Sequence, residues 1–315
     1  MSRRGAADFG SAALAVRRLA VMLDAGLSPE SAWRQLAAAD ATADTGASAV
    51  RPGVAVRVVA AIDEGTPLAT AIADALAEFD ADLEAVWAPV AAAWRVAEVS
   101  GAPLAPTLDR LARVLAGLDE SAREVEVALA GPTASARIVT ALPVVGILFG
   151  LAIGADTIAT LFTTGPGLVC LVVGLGLMAG GALWSRRLVR SARSTDATPG
   201  LPAELTAVAV SSGLGAERAR ELVDAALDQT GLHRSGDAVA EAIAFSRRAG
   251  VPAAALLRAG AEQERGLAAT GARRRAAALG VRLMLPLGVC VLPAFLALGV
   301  LPVVLSLVSS TARVL

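Results

Sequence analysis

Leu168–Trp184 reads LVCLVVGLGLMAGGALW, a run without a single charge. At ~1.5 Å of rise per residue such a run is about long enough to cross a bilayer as a helix. Two more runs of this kind stand in the second half of the chain, Ile138–Gly154 and Leu283–Val308. Outside them the sequence turns polar and takes on a helical period. The three runs decide the fold class: an all-α membrane protein with three spans and its polar mass on one side.

The flanks name that side. Arg137 precedes the first run, Arg186, Arg187, Arg190 and Arg193 follow the second, and Arg273, Arg274, Arg275 and Arg282 precede the third. The stretch 155–167 holds Asp156 and no Arg, and only Arg313 follows the third run. Basic residues stay in the cytoplasm. The expected topology is a cytoplasmic N-terminal domain, a short outer loop at 155–167, a second cytoplasmic segment and an outer C-terminus. No secretory leader is expected, because Asp8, Arg17, Arg18 and Asp24 interrupt the N-terminal apolar residues.

Composition narrows the chemistry. All 28 basic residues are Arg and none is Lys. A Walker A loop needs its Lys on the phosphates, so this chain is no P-loop ATPase; Schiff-base chemistry is excluded too. His233 is the sole histidine, which rules out a multi-His metal site. Cys170 and Cys290 both lie within apolar runs and read as small packing residues rather than a disulfide framework. Glu98 has no His, Lys or Cys near it in sequence, so no catalytic constellation forms around it. The expectation is no enzyme, no cofactor and no metal. Charge is uneven: residues 1–135 hold 11 Arg against 18 acids, and residues 189–275 hold 12 Arg against 10.

The polar parts read as antiparallel helix bundles. Gly26-Leu27-Ser28-Pro29-Glu30 looks like a helix stop followed by a helix start. Gly26 suits the left-handed C′ position, Ser28 caps, Pro29 fits the first turn and Glu30 meets the positive helix end. The device recurs at Gly65-Thr66-Pro67-Leu68, Gly101-Ala102-Pro103-Leu104 and Gly250-Val251-Pro252. Each marks a tight αα-hairpin. Gly26-Leu27-x-x-Glu30-x-Ala32 recurs as Gly213-Leu214-x-x-Glu217-x-Ala219, and Gly101-x-Pro103 with Leu108 recurs as Gly250-x-Pro252 with Leu257. The polar halves therefore read as a duplication with a shorter, degenerate second copy. The expected domains are a bundle over 1–135, a transmembrane hairpin over 136–188, a second helical domain over 189–275 and a final span over 276–315. Segments 39–53 and 194–202 read as loops.

Glu98-Val99-Ser100-Gly101-Ala102-Pro103-Leu104, with Leu108 beyond, resembles the Glu-x-Ser/Thr-Gly-x-Leu hairpin of the type II secretion system F family. These are inner-membrane platform proteins of type II secretion systems, type IV pili and tight-adherence (Flp) pili. The hairpins at Gly26 with Glu30, and at Gly65 with Pro67, fall where that family has its preceding ones. In the second copy Arg247 stands at the Glu position and Ala253 at the Leu position. The resemblance implies a scaffold in the cell inner membrane. Its partners would be a cytoplasmic hexameric secretion ATPase, pilin or pseudopilin subunits, and further copies or a second platform protein. No nucleic-acid partner is expected.

Other features carry physical readings. Gly146-x3-Gly150-x3-Gly154 and Gly176-x3-Gly180 present small residues at the spacing that lets helices approach in lipid, a candidate packing seam. Pro286, Pro293 and Pro302 interrupt the third run and kink it. Asp74, Glu78, Asp80, Asp82 and Glu84 make an acidic patch suited to a basic partner or to a solvated helix face. Trp87 and Trp94, seven apart, read as bundle core. Two rival functions share these features: a membrane subunit of an ATPase-driven transporter, and a membrane sensor or regulator. The spans lack buried polar residues for a solute path, and no ligand motif supports a sensor.

Overall fold

The computed structural model describes residues 9–43, 53–152, 165–191, 198–302 and 304. Among them every regular element is a helix. In chain order these are α1 (Phe9–Asp24), α2 (Pro29–Ala43), α3 (Val54–Asp63), α4 (Leu68–Ala77), α5 (Ala81–Ser100), α6 (Leu104–Ala152) and α7 (Gly165–Ser191). They continue as α8 (Leu201–Ser211), α9 (Ala216–Gln229), α10 (Asp237–Ala249) and α11 (Ala253–Arg282). Beyond Arg282 come α12 (Met284–Pro286), a π-helical segment at Leu287–Val291, α13 (Leu292–Phe295) and a second π segment at Leu296–Val300. Parts of 39–53, 155–167 and 194–202, expected as loops, lie outside the described residues, as do Gly154, Asp156, Arg193 and Arg313.

The chain gathers into two compact units. One takes Met1–Ala122 with Thr195–Ala269, the other Arg123–Ser194 with Thr270–Leu315. The sequence pattern suggests two separate cytoplasmic bundles, but the structure draws both polar stretches into one unit with a shared core. Nor does a break set residues 1–135 apart at their C-terminal end, because α6 runs unbroken through that point.

The core of the first unit is built from helical stripes. α1 buries Ala12, Ala13, Val16, Leu19 and Ala20, the spacing of one helix face. Trp33 of α2 is fully buried between Trp87 and Trp94 of α5, at ring centroid distances of 6.2 and 6.0 Å. These tilted geometries suit aromatic quadrupoles. The expected core role of Trp87 and Trp94 is thus seen, with Trp33 as the third member.

Helix α8 explains why one core forms and not two. It is apolar on every side, and such a helix is stable only when surrounded. Leu201, Leu205 and Ala209 join the core made by α1–α6. Ala203 and Ala207 pack on Val239, Ile243, Leu257 and Ala261 of α10 and α11. Val208 packs on Ala97 and Ala102 at the end of α5. Its one charge, Glu204, is buried and lies 3.5 Å from Arg265 of α11. An unpaired carboxylate there would be costly, so this pairing fixes the face α8 turns to α11.

Gly200 starts α8 and has two reasons to be glycine. Its φ is +75°, and an added Cβ would sit 2.6 Å from the Ala261 carbonyl oxygen. Gly200→Ala should lower stability by more than ~2 kcal/mol. Gly117→Ala, on α6 with open space around it, should be neutral or stabilising by up to ~1 kcal/mol. Thermal unfolding of the full chain in detergent checks both.

Candidate functional site

Two features come forward: the end of the first unit where the hairpin turns meet, and a glycine-lined seam in the second unit.

The turns share one geometry. Gly26, Gly65, Gly213 and Gly231 have φ of +90°, +89°, +103° and +66°. In each the glycine N–H bonds to the carbonyl three residues back, and the next N–H to the carbonyl five back, as Leu27 N–H does to Met22 O at 3.1 Å. This is the Schellman closure of a helix. Gly101 and Gly250, at φ +71° and +67°, use the simpler form, donating to Ala97 O and Ser246 O. The glycine N–H therefore closes the helix in the same way at Gly26 and Gly213, and again at Gly101 and Gly250. Ser28 caps α2, accepting from the Ser31 N–H at 3.3 Å. At Pro67, Pro103 and Pro252 the helix begins one residue after the proline, at Leu68, Leu104 and Ala253. The proline carbonyl accepts the first helical bond instead, as from Ala71 N–H to Pro67 O at 2.8 Å.

The turns at Gly26, Gly65, Gly101, Gly213 and Gly250 all lie at one end of this unit. Arg34, just after the Gly26 turn, pairs with Asp63, just before the Gly65 turn, at 2.9 Å. Trp33 and Trp94, which stand seven residues from Gly26 and Gly101, are in ring contact. Val208, near the Gly213 turn, packs on Ala97 and Ala102 beside the Gly101 turn. Arg247 pairs with Glu217 at 3.1 Å, and Arg258 donates to Ser211 Oγ at 2.7 Å, joining the Gly250 and Gly213 turns. The departure from the repeat at Arg247 thus has a physical partner: Glu217 stands where the first copy has Glu30. Leu27, Val99 and Val251 are exposed on these turns, as are Gly26, Glu30, Gly65, Pro67, Glu98, Gly101, Pro103, Gly250 and Pro252. Leu104 is half-buried. Glu98, among the described residues, has no ion-pair partner.

Away from this end the acidic patch is partly neutralised. Arg57 pairs with Glu78 and stacks on Phe79, 4.9 Å from the ring centre. Asp40 lies beside Gly53, and burial pushes its carboxyl above the usual carboxylate range, with Arg18 acting against that shift. A raised carboxylate favours the fold below its unfolded pKa, about 3.9, and that contribution is lost as pH rises through the folded value. Asp40→Asn should therefore raise the Tm at pH 7 relative to wild type and lose this advantage in acid.

In the second unit α7 buries one narrow stripe, Gly167, Cys170, Gly174 and Gly181, at coiled-coil spacing. The facing stripe is Pro286, Ala294, Leu298 and Pro302, with half-buried Cys290 between, one residue in every four. A plain α-helix turns every ~3.6 residues and would carry such positions off the face. The two π segments wind more loosely and hold them on it. The prolines explain where those segments fall. A proline ring clashes with the carbonyl four residues back. For Pro293 and Pro302 that carbonyl belongs to Val289 and Leu298, each the centre of a π segment. For Pro286 it belongs to Arg282, where α11 ends.

The close approach uses glycines other than the expected ones. A Cβ at Gly174 would lie 2.3 Å from Leu298 Cγ, and one at Gly181 would lie 3.0 Å from Cys290 Cβ. Gly176 and Gly180 have nothing within 4 Å of an added Cβ, so they do not form the seam with the interrupted helix. Gly146 and Gly150 stand on α6. The signal missed in the sequence is the seven-residue spacing of Gly167, Gly174 and Gly181, which the four-residue glycine pattern overlaid.

Among the described residues two helical stretches are long and apolar enough to cross a membrane, Gly165–Leu188 and Ala253–Val300. The expected first span, Ile138–Gly154, is not one of them; α6 carries the described part of it to Ala152. Val169, Val172, Leu175, Leu183, Val289 and Leu292 are all more than half exposed. Apolar surface on this scale calls for a non-aqueous neighbour. Among the described residues no three metal-ligating side chains come together.

Residues 15–152 match the family described as type II secretion system (T2SS), protein F, a match that takes in most of α1 and all of α2–α6. No curated protein matches the chain.

Gly101→Val should lower the Tm, since its cost of roughly 1–3 kcal/mol is purely conformational, and Gly101→Asn should restore most of the loss. Gly181→Cys should form a disulfide with Cys290 on mild oxidation, given the Cβ approach. Gly180→Cys should not, and loss of maleimide-reactive thiol separates the two.

Proposed function

We propose that this chain is an inner-membrane platform protein of a pilus or type II-like secretion system. It couples a separate cytoplasmic ATPase to the assembly of pilin or pseudopilin subunits. The observation that carries this reading is the type II secretion protein F match over residues 15–152. The gathering of five glycine turns at one end of the first unit supports it. Both long helices that start in that unit, α6 and α11, begin at this end.

In this reading the first unit is cytoplasmic. The run Ile138–Gly154 is a third span, the residues between it and α7 lie outside, and so does the C-terminus. The energy source is another chain, in keeping with the absence of lysine. Leu27, Val99 and Val251 are the apolar contacts offered to the ATPase. The Gly146, Gly150 and Gly154 pattern, with Gly176 and Gly180, is kept for helix contacts within the platform or with a second platform subunit.

The test is a pull-down of the detergent-solubilised full chain against the hexameric secretion ATPase of the same cell. Val99→Asp with Val251→Asp should abolish binding and pilus assembly while leaving the Tm within ~2 °C of wild type. Binding that survives this change removes the turn end from the coupling surface. Failure of the wild-type chain to bind ATPase or pilins would favour the transporter or sensor instead.

A further inference from the structure

We propose that Arg186, Arg187 and Arg282 form a binding site for the phosphate of an anionic phospholipid headgroup, at the polar mouth of the glycine seam. This rests on the reading that α7 and the α11–α13 segment cross a bilayer. The two helices run antiparallel, since Gly174 meets Leu298 while Gly181 meets Cys290 and the Pro286 carbonyl. From the level of Gly181, Arg187 lies six residues further along α7, a rise of about 9 Å. Arg282 lies the same way along the partner, four residues back from Pro286, about 6 Å. The Cα positions of the three therefore stand within about 3 Å of one level along the two helix axes, and all three residues are exposed.

No Asp or Glu occurs between Gly165 and Ser191 or between Thr270 and Pro302. Among the described residues none of the three has an ion-pair partner. Arg273, by contrast, is engaged by both Glu124 oxygens, at 2.7 and 2.8 Å. The surface beneath the three is lipid-like: Leu183, Val281, Met284 and Leu285 are each more than half exposed. Trp184 is exposed one turn before Arg187, the amphipathic ring that favours headgroup depth. Phosphate oxygens match the planar fork of arginine and take two bonds from each. A phosphate esterified to a diacylglycerol satisfies the charge and the apolar surface together, whereas a free phosphate satisfies only the charge. The occupant is therefore an anionic lipid.

The test uses the full chain reconstituted in vesicles of phosphatidylcholine, of phosphatidylcholine with phosphatidylglycerol, and of phosphatidylcholine with inorganic phosphate in the buffer. Resistance to alkaline extraction is scored first; a chain that washes off fails the membrane reading itself. For the inserted chain, phosphatidylglycerol should raise the Tm by at least ~3 °C, and inorganic phosphate should not. The triple variant Arg186→Gln, Arg187→Gln, Arg282→Gln should insert yet lose the rise, and the matching triple Lys variant should recover part of it. An equal rise in the Gln variant, no rise in inserted wild type, or an equal rise with inorganic phosphate alone would each overturn the proposal.

Discussion

A helix with no polar face has to be enclosed, and α8 is such a helix. Leu205 and Ala209 need the core made by α1–α6, Ala203 and Ala207 need α10 and α11, and Val208 needs the end of α5. No single bundle supplies all three surfaces. Enclosing α8 therefore brings the two polar halves of the chain together, although the whole of α7 lies between them in sequence. Burying one Leu or Val is worth about 1.5–3 kcal/mol, so α8 alone commits several such increments to the shared core. The pairing of Glu204 with Arg265 adds orientation more than stability, since a part-buried ion pair gains little net energy.

The second unit answers a different constraint. Three prolines lie within one apolar run, and each forbids the hydrogen bond and the packing of an ordinary turn. Two of these disruptions fall in π segments and one at the end of α11. The looser winding keeps Cys290, Ala294 and Leu298 on one line, and α7 offers glycines where that line comes closest. Strain at the prolines and the small residues opposite them are two halves of one packing solution. Around the seam, leucines and valines stay exposed on helical stretches long and apolar enough to cross a membrane.

Local features of this fold were legible in the sequence. The glycine turns and the Ser28 cap arise from short-range steric and hydrogen-bonding rules, and Trp87 and Trp94 carried a core spacing. The apolar character of Leu168–Trp184 and Leu283–Val308 was equally plain. The non-local features were concealed. Pro199-Gly200 reads as loop, yet Gly200 is the tight approach that seats α8 on Ala261. The all-round apolar face of Leu201–Ser211 was the available sign of a buried helix, but its neighbours lie far away in sequence. The four-residue glycine spacing drew attention to Gly176 and Gly180. The contact instead uses the seven-residue spacing of Gly174 and Gly181, which only the winding of the opposite helix makes meaningful.

Both polar halves fold around α8 as one unit, and the rest of the architecture depends on that. Hydrogen exchange of the full chain in detergent, comparing wild type with Leu205→Ala, tests it most directly. Leu205 is buried in the shared core, and its truncation leaves a cavity costing about 2–5 kcal/mol. A single unit predicts that amides of α5 and α9 lose protection together and by similar amounts. Loss confined to α8–α11, with α1–α5 unchanged, would contradict it and restore two independent bundles.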